Sequence, residues 1–286
     1  LENYQAVADA AGQIISSGKF SLMSDYYELF KTPGKLSDEN LFELQYSDFN
    51  SGTGDRVGHL YAPYGPNGWT PSVAGSAGGW GFFEPSMKYV KFMLDRGETE
   101  RLETTVLFTQ KGIDSIISST DYTAETLPDF VSPETRDGDV LLDNERAIFC
   151  SGKHYLPSNQ LIPGRTEYGS NKNYIVYRYA ETLLIYAEAL LHGATGSGMT
   201  ADQAVNMVRG RAGLAPISGV TLDQVVDEKY AELAMEWGKR FLDMVRLGRY
   251  EELSFEGRTF APDRTFVTYH QDQIDEFPIL MDIINN

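Results

Sequence analysis

Cysteine is nearly absent: Cys150 is the single one in 286 residues. This excludes an intramolecular disulfide, a cysteine-rich metal site and a CxxC redox pair. Following Ile148-Phe149, Cys150 reads as a small apolar filler. Long apolar runs are also missing. The strongest, Leu183 to Leu191, is broken by Glu188 and falls well short of the ~20 residues that cross a bilayer. Basic residues are scarce, 24 against 41 acidic, for a net charge of -17. That balance argues against nucleic acid and anionic membrane surfaces as main partners and suits a neutral or cationic ligand, with plain solubility as the simpler reading. Catalytic signatures are absent too. His59, His154, His192 and His270 lack any HExxH-type spacing, and neither a GxSxG elbow nor a phosphate-cradling loop occurs. Paired carboxylates of the glycosidase kind carry no weight where 41 acidic residues supply them by chance. The expectation is a non-enzyme with no cofactor and no metal. What is present, 42% hydrophobic residues with mixed charge, fits a globular chain able to bury a sizeable core.

Periodicity predicts mainly helices. Residues 4–17 put Tyr4, Val7, Ala11, Ile14 and Ile15 on one face, with Gly18 as the stop. Residues 41–46 alternate, Phe42, Leu44 and Tyr46 against Glu43 and Gln45, which predicts a short half-buried strand. A helix follows Ser86, with Met87, Val90 and Leu94 on one side, and residues 95–172 read as short extended pieces and turns. Residues 174–191 are apolar nearly all round, predicting a central helix. Thr200 with Gln203 and Thr221 with Gln224 match capping boxes, and Gly213 and Gly248 sit where left-handed caps end helices. From Leu222 a stripe of Val225, Val226, Leu233, Trp237, Phe241 and Met244 predicts one long helix. Arg178 and Glu181 fit an intrahelical pair, while Arg209, Arg211, Arg240 and Asp243 fit ties between helices.

Three runs lie in order within residues 173–249. They are Asn173-Tyr174-Ile175-Val176-Tyr177-Arg178-Tyr179-Ala180-Glu181, Asn206-Met207-Val208-Arg209-Gly210-Arg211-Ala212-Gly213-Leu214, and the stretch from Glu232 through Trp237-Gly238-Lys239-Arg240-Phe241 to Gly248. In this order they resemble the SusD/RagB family, nutrient-binding lipoproteins on the outer surface of Bacteroidetes-type bacteria. Ser17-Gly18, Tyr26-Tyr27-Glu28-Leu29-Phe30 and Phe42-Glu43-Leu44-Gln45-Tyr46 are similar to pieces of the same family. Gln273 to Pro278 is similar to its ending, with Phe277 where asparagine is common.

The resemblance implies a mainly α, SusD-like fold: tetratricopeptide-like helical pairs, long irregular loops and a few short strands. No clean repeat of the ~34-residue tetratricopeptide length is visible. It further implies one domain over residues 1–286, the C-terminal portion of a longer protein, with 173–249 as its helical core. The chain opens on Leu1 and shows no signal peptide or lipid-acceptor cysteine, so it reads as processed or trimmed. The expected function is capture of oligosaccharides at the extracellular face of the outer membrane. Delivery to a TonB-dependent, SusC-like transporter and membrane association through an N-terminal lipid anchor, absent from this chain, are implied with it. A peptide-binding homologue and a helical scaffold docking the transporter are the alternatives.

Residues 47–86 form a glycine-rich, aromatic stretch longer than most loops in a compact domain, which favours function there. Tyr61, Tyr64, Trp69, Trp80, Phe82 and Phe83 offer flat faces to the C–H faces of sugar rings. Asn50, Arg56, His59 and Asn67 supply hydrogen bonds to hydroxyls. Of these, Tyr61, Tyr64, Trp69, Trp80, Asn50, Arg56 and Asn67 are the candidate glycan contacts. Trp69, between Gly68 and Pro71, reads as a loop-tip residue, and Trp80, within Gly79-Trp80-Gly81, as the weaker candidate. The competing reading is that these rings cover the helical core.

Overall fold

The computed structural model describes residues 3–46, 63–76, 78–120, 127–161, 170–196, 198–265 and 270–279. Helices dominate: α1 (Tyr4–Ser16), α2 (Tyr26–Leu29), α3 (Met87–Asp95), α4 (Glu100–Thr105), α5 (Gln110–Ile117), α6 (Tyr179–Leu191), α7 (Ala201–Arg211), α8 (Leu222–Leu233), α9 (Lys239–Arg246) and α10 (Gln271–Glu276). Among the described residues six short strands pair as three antiparallel two-stranded sheets. β1 (Asn40–Leu44) pairs with β6 (Tyr174–Arg178), β2 (Trp69–Thr70) with β4 (Val140–Leu141), and β3 (Val106–Phe108) with β5 (Phe149–Ser151). The chain divides into two compact units, Leu1–Arg240 and Phe241–Asn286.

Helix ends follow local chemistry. Thr200 and Thr221 each accept from the backbone N–H three residues on, while Gln203 and Gln224 reach back to the cap, closing both expected boxes. Gly18, Gly213 and Gly248 take the left-handed conformation that ends their helices. In the larger unit α6 is the central helix, packed by α1, α7 and α8. Ala180, Leu183, Leu184, Tyr186, Ala187 and Ala189 of α6 form one core with Ala8, Ala11, Val205, Val208 and Val225. A second core joins Tyr89, Val90 and Met93 of α3 to Leu102, Phe108, Ile116, Phe149 and Ala231. Cys150 is buried in β5 against Leu107, Leu141 and Tyr155, as a filler should be, and burial pushes its thiol up to about 12. In the smaller unit Phe260 makes ring contacts with Phe241 and Tyr250. Among the described residues no helix is long and apolar enough to cross a membrane.

Five readings are corrected. Residues 174–178 are strand, not helix: the aromatic and β-branched run Tyr-Ile-Val-Tyr pairs with β1, and the helix starts only at Tyr179. The pair Arg178–Glu181 does not form, because Arg178 turns to Glu39, Glu232 and Glu236, and Glu181 takes Lys239 at 2.7 Å. The stripe from Leu222 to Met244 is cut between α8 and α9, where Met235, Trp237 and Gly238 have φ of 63°, 49° and 76°. Phe42 and Leu44 of β1 are exposed, as is Val7 of α1. Residues 95–172, read as extended pieces and turns, also hold α4 and α5, two helices too short to carry a clear periodicity.

An ionic lattice joins these elements. Arg178 bonds Glu39 at 2.9 Å, Glu232 at 2.5 Å and Glu236 at 2.8 Å, and all four side chains are buried. Arg211 adds Glu39 at 3.0 Å and also pairs with Glu232. Arg101 bonds Glu228 at 2.7 Å and pairs with Glu98, and Arg96 and Arg209 also reach Glu228. Burial opposes ionisation of Glu232 and Glu236, but Arg211, Arg178 and Arg101 around the first, and Arg178 with Lys153 around the second, outweigh it and hold both at about 2. Such a lattice fixes which elements meet more than it adds net stability.

Candidate functional site

Three backbone bonds zip residues 63–67 onto residues 79–82: Gly79 N–H to Pro66 O (2.7 Å), Gly81 N–H to Gly65 O (3.1 Å) and Phe82 N–H to Pro63 O (2.8 Å). The approach is close enough to require glycine. A Cβ on Gly79 would stand 2.5 Å from Gly65 Cα, and Gly81 adopts φ of 60°. Asn67 Nδ2 and an Arg146 N–H both donate to Trp80 O, at 3.0 and 3.3 Å. Asn144 donates to Asn67 O at 2.6 Å, and Glu84 accepts from the backbone of Ile148 and Phe149. The outcome is an anchored loop whose rings face water: Trp80 is 40%, Phe82 55% and Phe83 50% exposed.

From Phe83 the rings continue inward. Tyr64 stacks on Phe83 (4.6 Å between centroids) and on His154 (4.1 Å), and meets Trp237 edge-on at 5.9 Å. Trp237 in turn stacks on Tyr174 at 3.9 Å and donates its indole N–H to Ile175 O at 2.9 Å. The left-handed turn at 235–238 is what swings Trp237 out of the helical stripe and into this row. His154 bonds Ser151 Oγ at 2.8 Å, and burial together with Lys172 and Lys153 pushes its pKa well down, so the row is uncharged. Arg146 lies over Phe82 at 4.9 Å and supplies a guanidinium on the outer rim. Among the described residues no cluster of three or more His, Cys, Asp or Glu is placed to hold a metal.

The sequence candidates separate. Tyr64 and Trp80 lie in the exposed ring region, and Asn67 spends its amide positioning Trp80 O. Trp69 is not at a loop tip: it pairs in β2 and packs half-buried against Tyr155, Leu141 and Leu161. Tyr61, Asn50, Arg56 and His59 lie outside the described residues. His154, Tyr174, Trp237 and Arg146 were not singled out as contacts. Gly238, interrupting a helical pattern at a cost of about 1 kcal/mol, was the one available signal for Trp237.

Comparison with known proteins agrees with this fold. The family model described as SusD family matches residues 38–276. Surface glycan-binding protein A from Bacteroides thetaiotaomicron superposes with a TM-score of 0.71 at 26% identity over 96% of this chain. The same protein in complex with laminarihexaose gives 0.71 at 25% over 96%. Surface glycan-binding protein A from Bacteroides uniformis gives 0.68 at 23% over 96%, a likeness of fold. This chain spans 57%, 57% and 56% of those three chains. No curated protein matches. With its helical lattice, its short strands and a family match from residue 38 to 276, the chain belongs to the SusD family.

Proposed function

We propose that this chain captures a neutral oligosaccharide on the row Trp80–Phe82–Phe83–Tyr64 and releases it uncleaved, for a TonB-dependent transporter to take inward at the outer-membrane surface. The observation that carries the reading is the exposure of three rings on an anchored loop in an otherwise acidic protein. Flat faces of this kind exclude water from sugar C–H groups while rim polar groups replace hydroxyl hydration. The complex of a 25%-identical neighbour with laminarihexaose makes a β-glucan the first ligand to try.

Non-catalysis rests on the carboxylate near the rings. A glycosidase needs a proton-carrying acid with a raised pKa. Glu236, opposed by burial but held by Arg178 and Lys153, sits at about 2. Calorimetry and affinity electrophoresis with laminarin, other soluble polysaccharides and peptides test the reading. Saturable laminarin binding that is lost in Trp80→Ala/Phe83→Ala supports it. Binding to peptides alone, or release of reducing sugar, overturns it.

A further inference from the structure

A water-sized recess of about 30 Å³, partly open to solvent, adjoins the inner end of the ring row. Lys153, His154, Lys172, Asn173, Glu236 and Trp237 line it. Its amines are short of acceptors. Lys153 Nζ pairs with Glu236 at 2.6 Å, but Glu236 is already shared with Arg178 at 2.8 Å. Lys172 Nζ donates to the carbonyl of Lys153 and lies over the Phe30 ring, with no carboxylate in ion-pair reach among the described residues. Nearby Lys31 donates to the carbonyls of Gly152 (2.8 Å) and Tyr155 (3.1 Å) and lies over the Tyr27 and Tyr155 rings. Asn173, 5% exposed, uses Oδ1 to accept from Tyr46 N–H at 2.9 Å, yet its Nδ2 is buried without a partner among the described residues. A buried donor left without an acceptor costs free energy, and so does charging a buried amine that has no counter-charge.

One chemical group answers both deficits. A carboxylate brings a negative charge and two acceptor oxygens. A volume of about 30 Å³ exceeds the ~10–15 Å³ that one water requires, and the opening to solvent leaves the rest of the carrier outside. We infer that this recess binds a carboxylate group, with Lys172 Nζ and Asn173 Nδ2 as its donors, carried by a free small acid or by an acidic sugar lying on the adjoining rings. Glu236 does not forbid it, since Arg178 and Lys153 neutralise that wall. Burial, with Lys31 and Lys153 adding to it against Glu236, pushes the Lys172 pKa well down, and burial lowers Lys31 to about 7. Binding an anion reverses that shift, so it is coupled to proton uptake.

Calorimetry on the whole chain at pH 7 and constant chloride tests this, with sodium acetate, sodium glucuronate and methyl glucoside, each in two buffers of different ionisation enthalpy. The expected result is one acetate per chain with proton uptake, and no proton uptake with the neutral glucoside. Lys172→Met weakens acetate about tenfold or more, the worth of one charge-assisted hydrogen bond. Asn173→Asp, which keeps the acceptor for Tyr46 and places a carboxylate inside the recess, blocks acetate without lowering the melting temperature. Glucuronate binding at least ~10-fold tighter than acetate, about 1.4 kcal/mol, assigns the site to an acidic sugar, and equal affinity assigns it to free small acids. Absence of acetate binding, or affinity unchanged in both variants, overturns the inference. Acetate has no ring, so its failure leaves laminarin binding to the aromatic row standing, and failure of laminarin leaves the recess standing.

Discussion

The Arg178 node and the Lys172 recess lie on either side of Glu236 and handle buried charge in opposite ways. At the node each guanidinium meets carboxylates from distant segments, Glu39, Glu232 and Glu236. At the recess the Lys172 amine meets one carbonyl and a ring face. The first arrangement is complete in itself and joins helices. The second is satisfied only by something added. The contrast teaches that basic side chains flanking one carboxylate play different parts, and that partner count tells them apart.

The sharpest way to break the contrast is Arg178→Ala, which strands Glu39, Glu232 and Glu236. An expected loss of about 3–5 kcal/mol, read from denaturant unfolding, would remove ligand binding with it. Trp80→Ala with Phe83→Ala should do the reverse. Laminarin affinity falls about 30-fold or more, the scale of an aromatic hot spot, while the unfolding free energy moves by less than about 1 kcal/mol because both rings are exposed. Acid should separate the regions by pH. Glu232 and Glu236 are depressed from 4.5 to about 2, so their contribution is full above 4.5 and is lost as pH falls from there toward 2. The melting temperature is therefore expected to fall steeply over that window, and a flat profile there would count against the lattice. Smallest is Thr221→Ala, which removes one half of a capping box far from both regions, for about 1 kcal/mol and no change in laminarin binding.

Which features were legible in the sequence follows the range of the interaction. Thr200, Thr221, Gly213 and Gly248 were readable because a cap is decided within four residues. Arg178 was assigned to Glu181, three residues away, whereas its partners lie 139, 54 and 58 residues off. No local rule reaches that far. Tyr174 to Tyr177 looked helical because they run without a break into α6, and only pairing with β1 makes them strand. The same limit governed the site. Trp69 and Trp80 sit in equally glycine-rich surroundings, and what separates them is that β4 covers one while Gly65 zips the other outward. Trp237 was hidden in a helical stripe that the left-handed turn at 235–238 interrupts.

Cys150 has a practical consequence. It is sealed in β5 with its thiol pushed up to about 12, so at neutral pH it presents almost no thiolate to a reagent. A cysteine introduced at an exposed position such as Val73 or Ala74, near the ring-bearing loop, would then be the one group that a maleimide dye labels. The wild-type interior thus leaves the surface a blank canvas for a single fluorophore, placed to watch a ligand arrive and leave in real time.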